Sequence, residues 1–164
     1  MRALLLLRHT SAGDRLESPD VDRRRPLDRI GWADARQLVE TLADRPLERI
    51  VSSPHRRCVE SVRPLAEARG LEVERTESLS PDAQVEDTLA LLHELPTNAL
   101  VCTHREVIAR LFDGSVSCEK GGAWVLERRG SRWLPVEYLP PPTPPEARRS
   151  TALVRVAGSR GRSG

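Results

Sequence analysis

Aromatic side chains are scarce: Phe, Tyr and Trp together make up 3% of the 164 residues. A core built on stacked rings is therefore excluded, and Leu, Val and Ala must fill it. Lysine is scarcer still, because Lys120 is the single one and 25 of the 26 basic residues are arginine. The three cysteines, Cys58, Cys102 and Cys118, show no Cys-x-x-Cys spacing. An odd count without paired spacing indicates neither a disulfide framework nor a zinc site. A reducing cytoplasm is the expected setting. Long hydrophobic runs are missing too. Arg8 and His9 end the apolar stretch 3–7, which is too short for a signal peptide, and no segment reaches the ~20 apolar residues of a membrane span. No membrane association is expected.

The charge is unevenly placed. Residues 140–164 hold five Arg and one Glu, a net of +4, which leaves −2 for residues 1–139. A body with that balance does not read as a nucleic-acid binder, which needs a basic face with base-reading or stacking groups. With 38% hydrophobic and 30% charged residues, the chain is expected to form one globular domain.

The run 3–7 reads as a strand buried on both faces, as in a parallel sheet. A polar stretch, 11–25, follows without a clear period and reads as a loop. Asp28 is placed to cap a helix over 28–43 that turns Ala35, Leu38, Val39 and Leu42 to the core. A short strand over 49–52 precedes a helix opened by Pro54 and stopped after Arg69 by Gly70, with Pro64 as an internal kink. Further strands are expected over 71–75 and 99–103, with helices over 85–95 and through Phe112. Two late strands, 123–127 and 133–138, flank a turn at Gly130. Alternation of this kind predicts α/β layering. From Pro140 the composition turns to Pro, Arg, Ser and Gly, which predicts a disordered tail over 140–164 behind a domain of 1–139.

Three polar clusters fall just past expected strand ends: Arg8-His9, residues 52–57, and Thr103-His104. In an open parallel sheet such ends share one edge, where ligands bind. A neutral imidazole is a good nucleophile near pH 7, and a guanidinium offers forked donors to phosphate oxygens. Arg8-His9 alone would be an ordinary strand end, and His104 alone a satisfied buried histidine. Arg56 and Arg57 near a helix start oppose the helix dipole unless an anion sits among them.

Together these residues resemble the histidine phosphatase superfamily, the phosphoglycerate-mutase-like fold, in the expected order over 1–139. The family's Arg-His-Gly is Arg8-His9-Thr10 here. Its Ser-Ser-Pro-x-x-Arg-x-x-x-Thr helix is 52–61, with Arg57 at the phosphate-binding arginine, and its second histidine is His104. Arg25-Pro26-Leu27 with Gly31, and residues 11–15, resemble the SixA-type branch and phosphatase domains found beside Nudix hydrolases. Thr10 and Arg105 stand where the family usually has Gly; Arg105 is expected to point to solvent.

The resemblance implies a three-layer α/β/α fold with a mostly parallel central sheet. It implies a phosphatase in which His9 attacks phosphorus, a phosphohistidine forms, and water hydrolyses it. Arg8, Arg57 and His104 would surround the equatorial oxygens, and Arg15, Arg25 and Thr103 would contact substrate. Nearby cations would keep His9 neutral, and phosphate would favour a charged His104. Asp82 is the carboxylate nearest the family's general acid, with Glu77 and Glu86 as rivals; it reads equally as a helix cap. His55 and His93 are expected on the surface, His55 near the pocket, and Cys58 as a small core residue rather than a redox centre. No cofactor or metal is expected, since arginines supply the positive charge. Short loops predict an open pocket that favours hydrolysis over a mutase reaction, with a phosphorylated small molecule or phosphoprotein as substrate. The competing expectation is a silent phospho-ligand-binding module or a partner of a Nudix hydrolase.

Overall fold

The computed structural model describes residues 3–143. Six strands form one sheet: β1 (Ala3–Arg8), β2 (Arg49–Ser52), β3 (Val73–Arg75), β4 (Ala99–Thr103), β5 (Ala123–Arg129) and β6 (Arg132–Leu139). Among the described residues five α-helices lie between them, α1 (Pro19–Arg23), α2 (Arg29–Thr41), α3 (Arg56–Arg69), α4 (Val85–Glu94) and α5 (Arg105–Leu111), with a 3-10 turn at Glu77–Leu79. The strand order is β3-β2-β4-β1-β5-β6. β1 to β4 run parallel, while β5 lies antiparallel to β1 and β6.

The apolar run of β1 explains the layering. Leu5 and Leu7 face a cluster with Leu38 and Leu42 of α2 and Cys58, Val62 and Leu65 of α3. Leu4 and Leu6 face the opposite cluster, with Leu92 of α4 and Ile108 of α5. A central strand buried on both sides has no polar face to offer, and each fully buried Leu contributes about 1.5–3 kcal/mol. The three-layer arrangement follows.

The chain differs from its sequence-based reading in four places. The stretch 11–25 contains α1, too short for its period to show. β3 begins at Val73 rather than at 71. α3 begins at Arg56 behind the N-cap His55, so Pro54 precedes the helix and Arg57 lies in its first turn. Finally, residues 140–143 stay on the domain: the Thr143 N–H donates to Asp34 Oδ1 at 2.8 Å and its hydroxyl donates to the same oxygen. The rest of the expected tail lies outside the described residues.

Two ends match the expected physics. Gly70 closes α3 in the left-handed conformation at φ 64°. Asp28 caps α2, accepting from the Gly31 N–H at 2.8 Å.

Candidate active site

The sheet register brings the histidines together. Arg8 of β1 pairs with Thr103 of β4, so the residues that follow, His9 and His104, leave neighbouring strands at the same level. The His9 N–H donates to the Thr103 carbonyl at 3.0 Å. The two ring centroids lie 5.5 Å apart, the planes at 63°. On the other side of β4, Ser52 pairs with Cys102, and the Ser53 N–H donates to the Cys102 carbonyl at 3.0 Å. Ser53 thereby leads into α3 beside the histidines, and Arg57 arrives one turn later.

His9 is buried, and its Nδ1 lies 2.8 Å from the Thr10 carbonyl oxygen. A carbonyl only accepts, so Nδ1 carries the proton and Nε2 holds the lone pair. Burial comes first, and then the charges of Arg57, Arg8 and Arg25, in pushing the imidazole down to about 3, against the Thr10 hydrogen bond. The neutrality expected from nearby cations is thus present, with desolvation as its main cause.

His104 accepts from Arg57 Nη2 through Nδ1 at 3.3 Å and donates from Nε2 to Ser53 Oγ at 2.8 Å. This is the neutral tautomer, and burial together with His9, Arg57 and His55 holds its pKa far below the usual imidazole range. The charged donor form anticipated for His104 therefore depends on an anion being present.

Arg57 is buried. Its Nη1 donates to the Asp22 carbonyl at 2.9 Å and lies 3.3 Å from Asp22 Oδ2. Asp22 Oδ1 also accepts from the Leu16 N–H at 2.9 Å and from Arg25 Nε at 3.0 Å. Burial alone would raise the Asp22 carboxyl, but the Leu16 N–H, Arg57 and Arg25 outweigh it and hold it below the ordinary carboxylate range. Asp22 went unread in the sequence because it sits in α1, where no periodicity marks it. Arg8 donates from Nη1 to the Cys118 carbonyl at 2.8 Å. The buried Nε atoms of Arg8 and of Arg57 have no hydrogen-bond partner among the described residues.

A cavity of about 220 Å³ opens here, walled by Arg8, His9, Arg57 and His104. Arg15, Arg25, Arg105 and Lys120 add positive charge, and Asp14 and Glu106 are its carboxylates. Arg15 and Arg25, from which substrate contact was expected, thus line this cavity, and Arg105, though exposed, sits at the cavity wall rather than merely in solvent. Among the described residues no cluster of His, Cys, Asp and Glu has the makings of a metal site.

Several expected residues lie elsewhere. Thr103 is fully buried and donates its hydroxyl to the Leu79 carbonyl at 2.7 Å, so it builds the scaffold instead of lining the cavity. Asp82 lines a neighbouring hollow of about 280 Å³ with Leu16, Asp20 and His55. Glu77 pairs with Arg23 and accepts from Ser80, and Glu86 is exposed in the first turn of α4. The Thr10 side chain turns to α3, its Oγ1 3.2 Å from Ser61 Oγ, and is not among the residues that line the cavity. His55 is half-buried, edge-on to His104 at 4.8 Å, and burial and Arg57 push it down to about 4. His93 is half-buried against Trp133, far from this edge. Cys58 is fully buried, 3.5 Å from His104 Nε2.

A sequence model of the histidine phosphatase superfamily (branch 1) matches residues 4–80, which include Arg8, His9 and Arg57. The chain is 28% identical over 157 residues to an 8-oxo-(d)GTP phosphatase of Mycolicibacterium smegmatis, covering 86% of this chain and 49% of that protein. It thus spans about half the length of this curated relative. Among solved structures, the fold is similar to a protein histidine phosphatase SixA complexed with tungstate, with a TM-score of 0.71 at 19% identity over 85% of this chain and 97% of that one. It is also similar to SixA from Agrobacterium tumefaciens, with a TM-score of 0.68 at 22% identity over 85% and 98%. A mycobacterial glucosyl-3-phosphoglycerate phosphatase in complex with VO3 gives a TM-score of 0.68 at 18% identity over 85% and 100%.

Proposed function

We propose that the chain is a member of the histidine phosphatase superfamily and that it hydrolyses phosphomonoesters or phosphohistidine through a phosphohistidine intermediate on His9. One observation carries this reading. The side chains of Arg8 and Arg57 wall the same cavity as the neutral His9 and His104. Guanidinium groups fixed around a neutral imidazole suit a phosphoryl group, whose oxygens accept charge-assisted hydrogen bonds.

His9 Nε2 attacks phosphorus in line. Arg8 and Arg57 bind the oxygens in a site whose donors are fixed beforehand: Asp22 holds Arg57, and the Cys118 carbonyl holds Arg8. The dianion raises the proton affinity of His104, whose Nδ1 then turns from acceptor to donor. Water cleaves the phosphorus–nitrogen bond. The arginines supply the positive charge, so the reaction runs without a metal. Only ten residues separate β1 from α1, and His104 alone separates β4 from α5. Such short connections leave the cavity open, which favours hydrolysis over a mutase reaction.

Two substrate classes follow from the relatives' names: a phosphohistidine protein and a nucleotide-derived phosphate. A soluble cytoplasmic setting fits the reduced cysteines. Wild type and His9→Ala are to be incubated, without metal, with an aryl phosphate, a phosphohistidine peptide and a nucleoside phosphate. Release of phosphate by wild type alone supports the reading and ranks the substrates. Binding of the phosphopeptide without turnover would replace it with a phospho-ligand-binding module.

A further inference from the structure

An alkyl phosphate leaves as an alkoxide and needs a proton donor, and Asp82 lines the neighbouring hollow instead of the cavity that holds His9. The carboxylates that do line it are Asp14 and Glu106. Asp14 is exposed on the loop past β1, and its electrostatic partner is Lys120. Glu106 is half-buried in the first turn of α5, two residues beyond His104. Its backbone position is fixed, because Val107 and Ile108 are buried and their N–H groups both donate to the His104 carbonyl, at 3.1 and 3.2 Å. Its charge acts on both Arg8 and Arg57, which stand on different elements at the phosphate end of the cavity.

The geometry points to Glu106 as the general acid and base of the reaction. This rests on the phosphatase reading and assigns the one role that reading leaves open. In the first step the His9 Nε2 lone pair forms the nitrogen–phosphorus bond and the phosphorus–oxygen ester bond breaks. The leaving oxygen keeps that bonding pair and takes the proton of the Glu106 carboxyl. In the second step the Glu106 carboxylate removes a proton from water as its oxygen bonds phosphorus. The nitrogen–phosphorus pair returns to His9, orthophosphate leaves, and Glu106 is protonated again.

The role shows in how the rate depends on the leaving group. A nitrophenolate departs without help, whereas an alkoxide does not. Glu106→Gln is expected to lower kcat/KM, which reports the steps up to departure of the leaving group and not the shared hydrolysis, by about 10²–10³-fold on an alkyl phosphate and by less than about 10-fold on 4-nitrophenyl phosphate. Asp82→Asn is expected to show no such split. Glu106→Asp, which keeps the carboxyl, restores part of the alkyl activity, and circular dichroism establishes that each variant is folded. Equal losses on both substrates, no loss on either, or the split appearing in Asp82→Asn would overturn the assignment. Absence of phosphate release by wild type on every substrate would instead defeat the parent reading.

Discussion

The guanidinium of Arg57 donates from Nη2 to Nδ1 of His104 at 3.3 Å. An oxyanion between them offers each a better partner than it has now: Arg57 gains a charged acceptor, and His104 a reason to take up a proton. Tungstate or phosphate is therefore expected to stabilise the fold. At 100 times its Kd the gain is about 2.7 kcal/mol, roughly 5–10 °C in Tm, and Arg57→Ala should abolish it in a thermal melt. The same variant is expected to lower kcat by about 10²–10³-fold, whereas His9→Ala should cost more than about 10³-fold.

Stability should fall as the solution is acidified from pH 7 to pH 5. His9 is held down to about 3, while in the unfolded chain it titrates near 6.5. Between those values the unfolded state binds the extra proton, so stability rises with pH inside that window and is flat above it. From pH 6.5 to pH 5 the loss from His9 is about 2 kcal/mol. His104 and His55 shift the same way and add to it. The depressed carboxyls of Asp22, Asp28, Glu74 and Glu77 act lower, near and below pH 4, where the unfolded carboxylates take up protons. Urea titrations at pH 7, 6 and 5 check this, and His9→Asn should reduce the slope; a constant midpoint would contradict it.

Asp22 is expected to matter beyond stability. Asp22→Asn weakens the pair with Arg57 inside the fold, a change that costs about 3 kcal/mol where a buried charge loses its partner. As a positioning residue it should lower kcat more than it raises KM, because Arg57 remains but is no longer aimed. A rise in KM alone would indicate a role confined to binding.

The sheet and its edge were legible because β1 and β4 are unbroken apolar runs and Gly70 and Gly130 punctuate the chain. That Arg8, His9, Arg57 and His104 would meet at one cavity was legible for the same reason, since each stands at or shortly after the end of a readable strand. Thr103 and Asp82 were not, because which way a hydroxyl or carboxylate turns depends on neighbours distant in sequence, here the Leu79 carbonyl and a separate hollow. Asp22 and Glu106 carried no pattern at all. α1 has five residues, and an acidic residue in the first turn of α5 is what any helix favours.

Gly31 gives the segment after Arg25-Pro26-Leu27 its physical meaning. A Cβ there would stand 1.9 Å from the Ser11 carbonyl oxygen, which is backbone and has no side chain to swing away. Gly31→Ala is expected to destabilise by about 2–3 kcal/mol and to displace the loop that carries Asp14 and Arg15 to the cavity. Lower Tm with raised KM is the expected signature; an unchanged KM would mean the strain is absorbed in α2.

The hold of Thr143 on Asp34 determines where the chain can be cut. Composition suggests ending a shortened protein at Leu139, yet that cut takes away two hydrogen bonds from a carboxylate with no exposure to solvent. It also strips Pro141 from its place beside Gly121, which itself borders Thr10, the residue next to His9. Of two shortened proteins, the one ending at 139 should melt several degrees below the one ending at 143, at about 1–3 kcal/mol of lost stability.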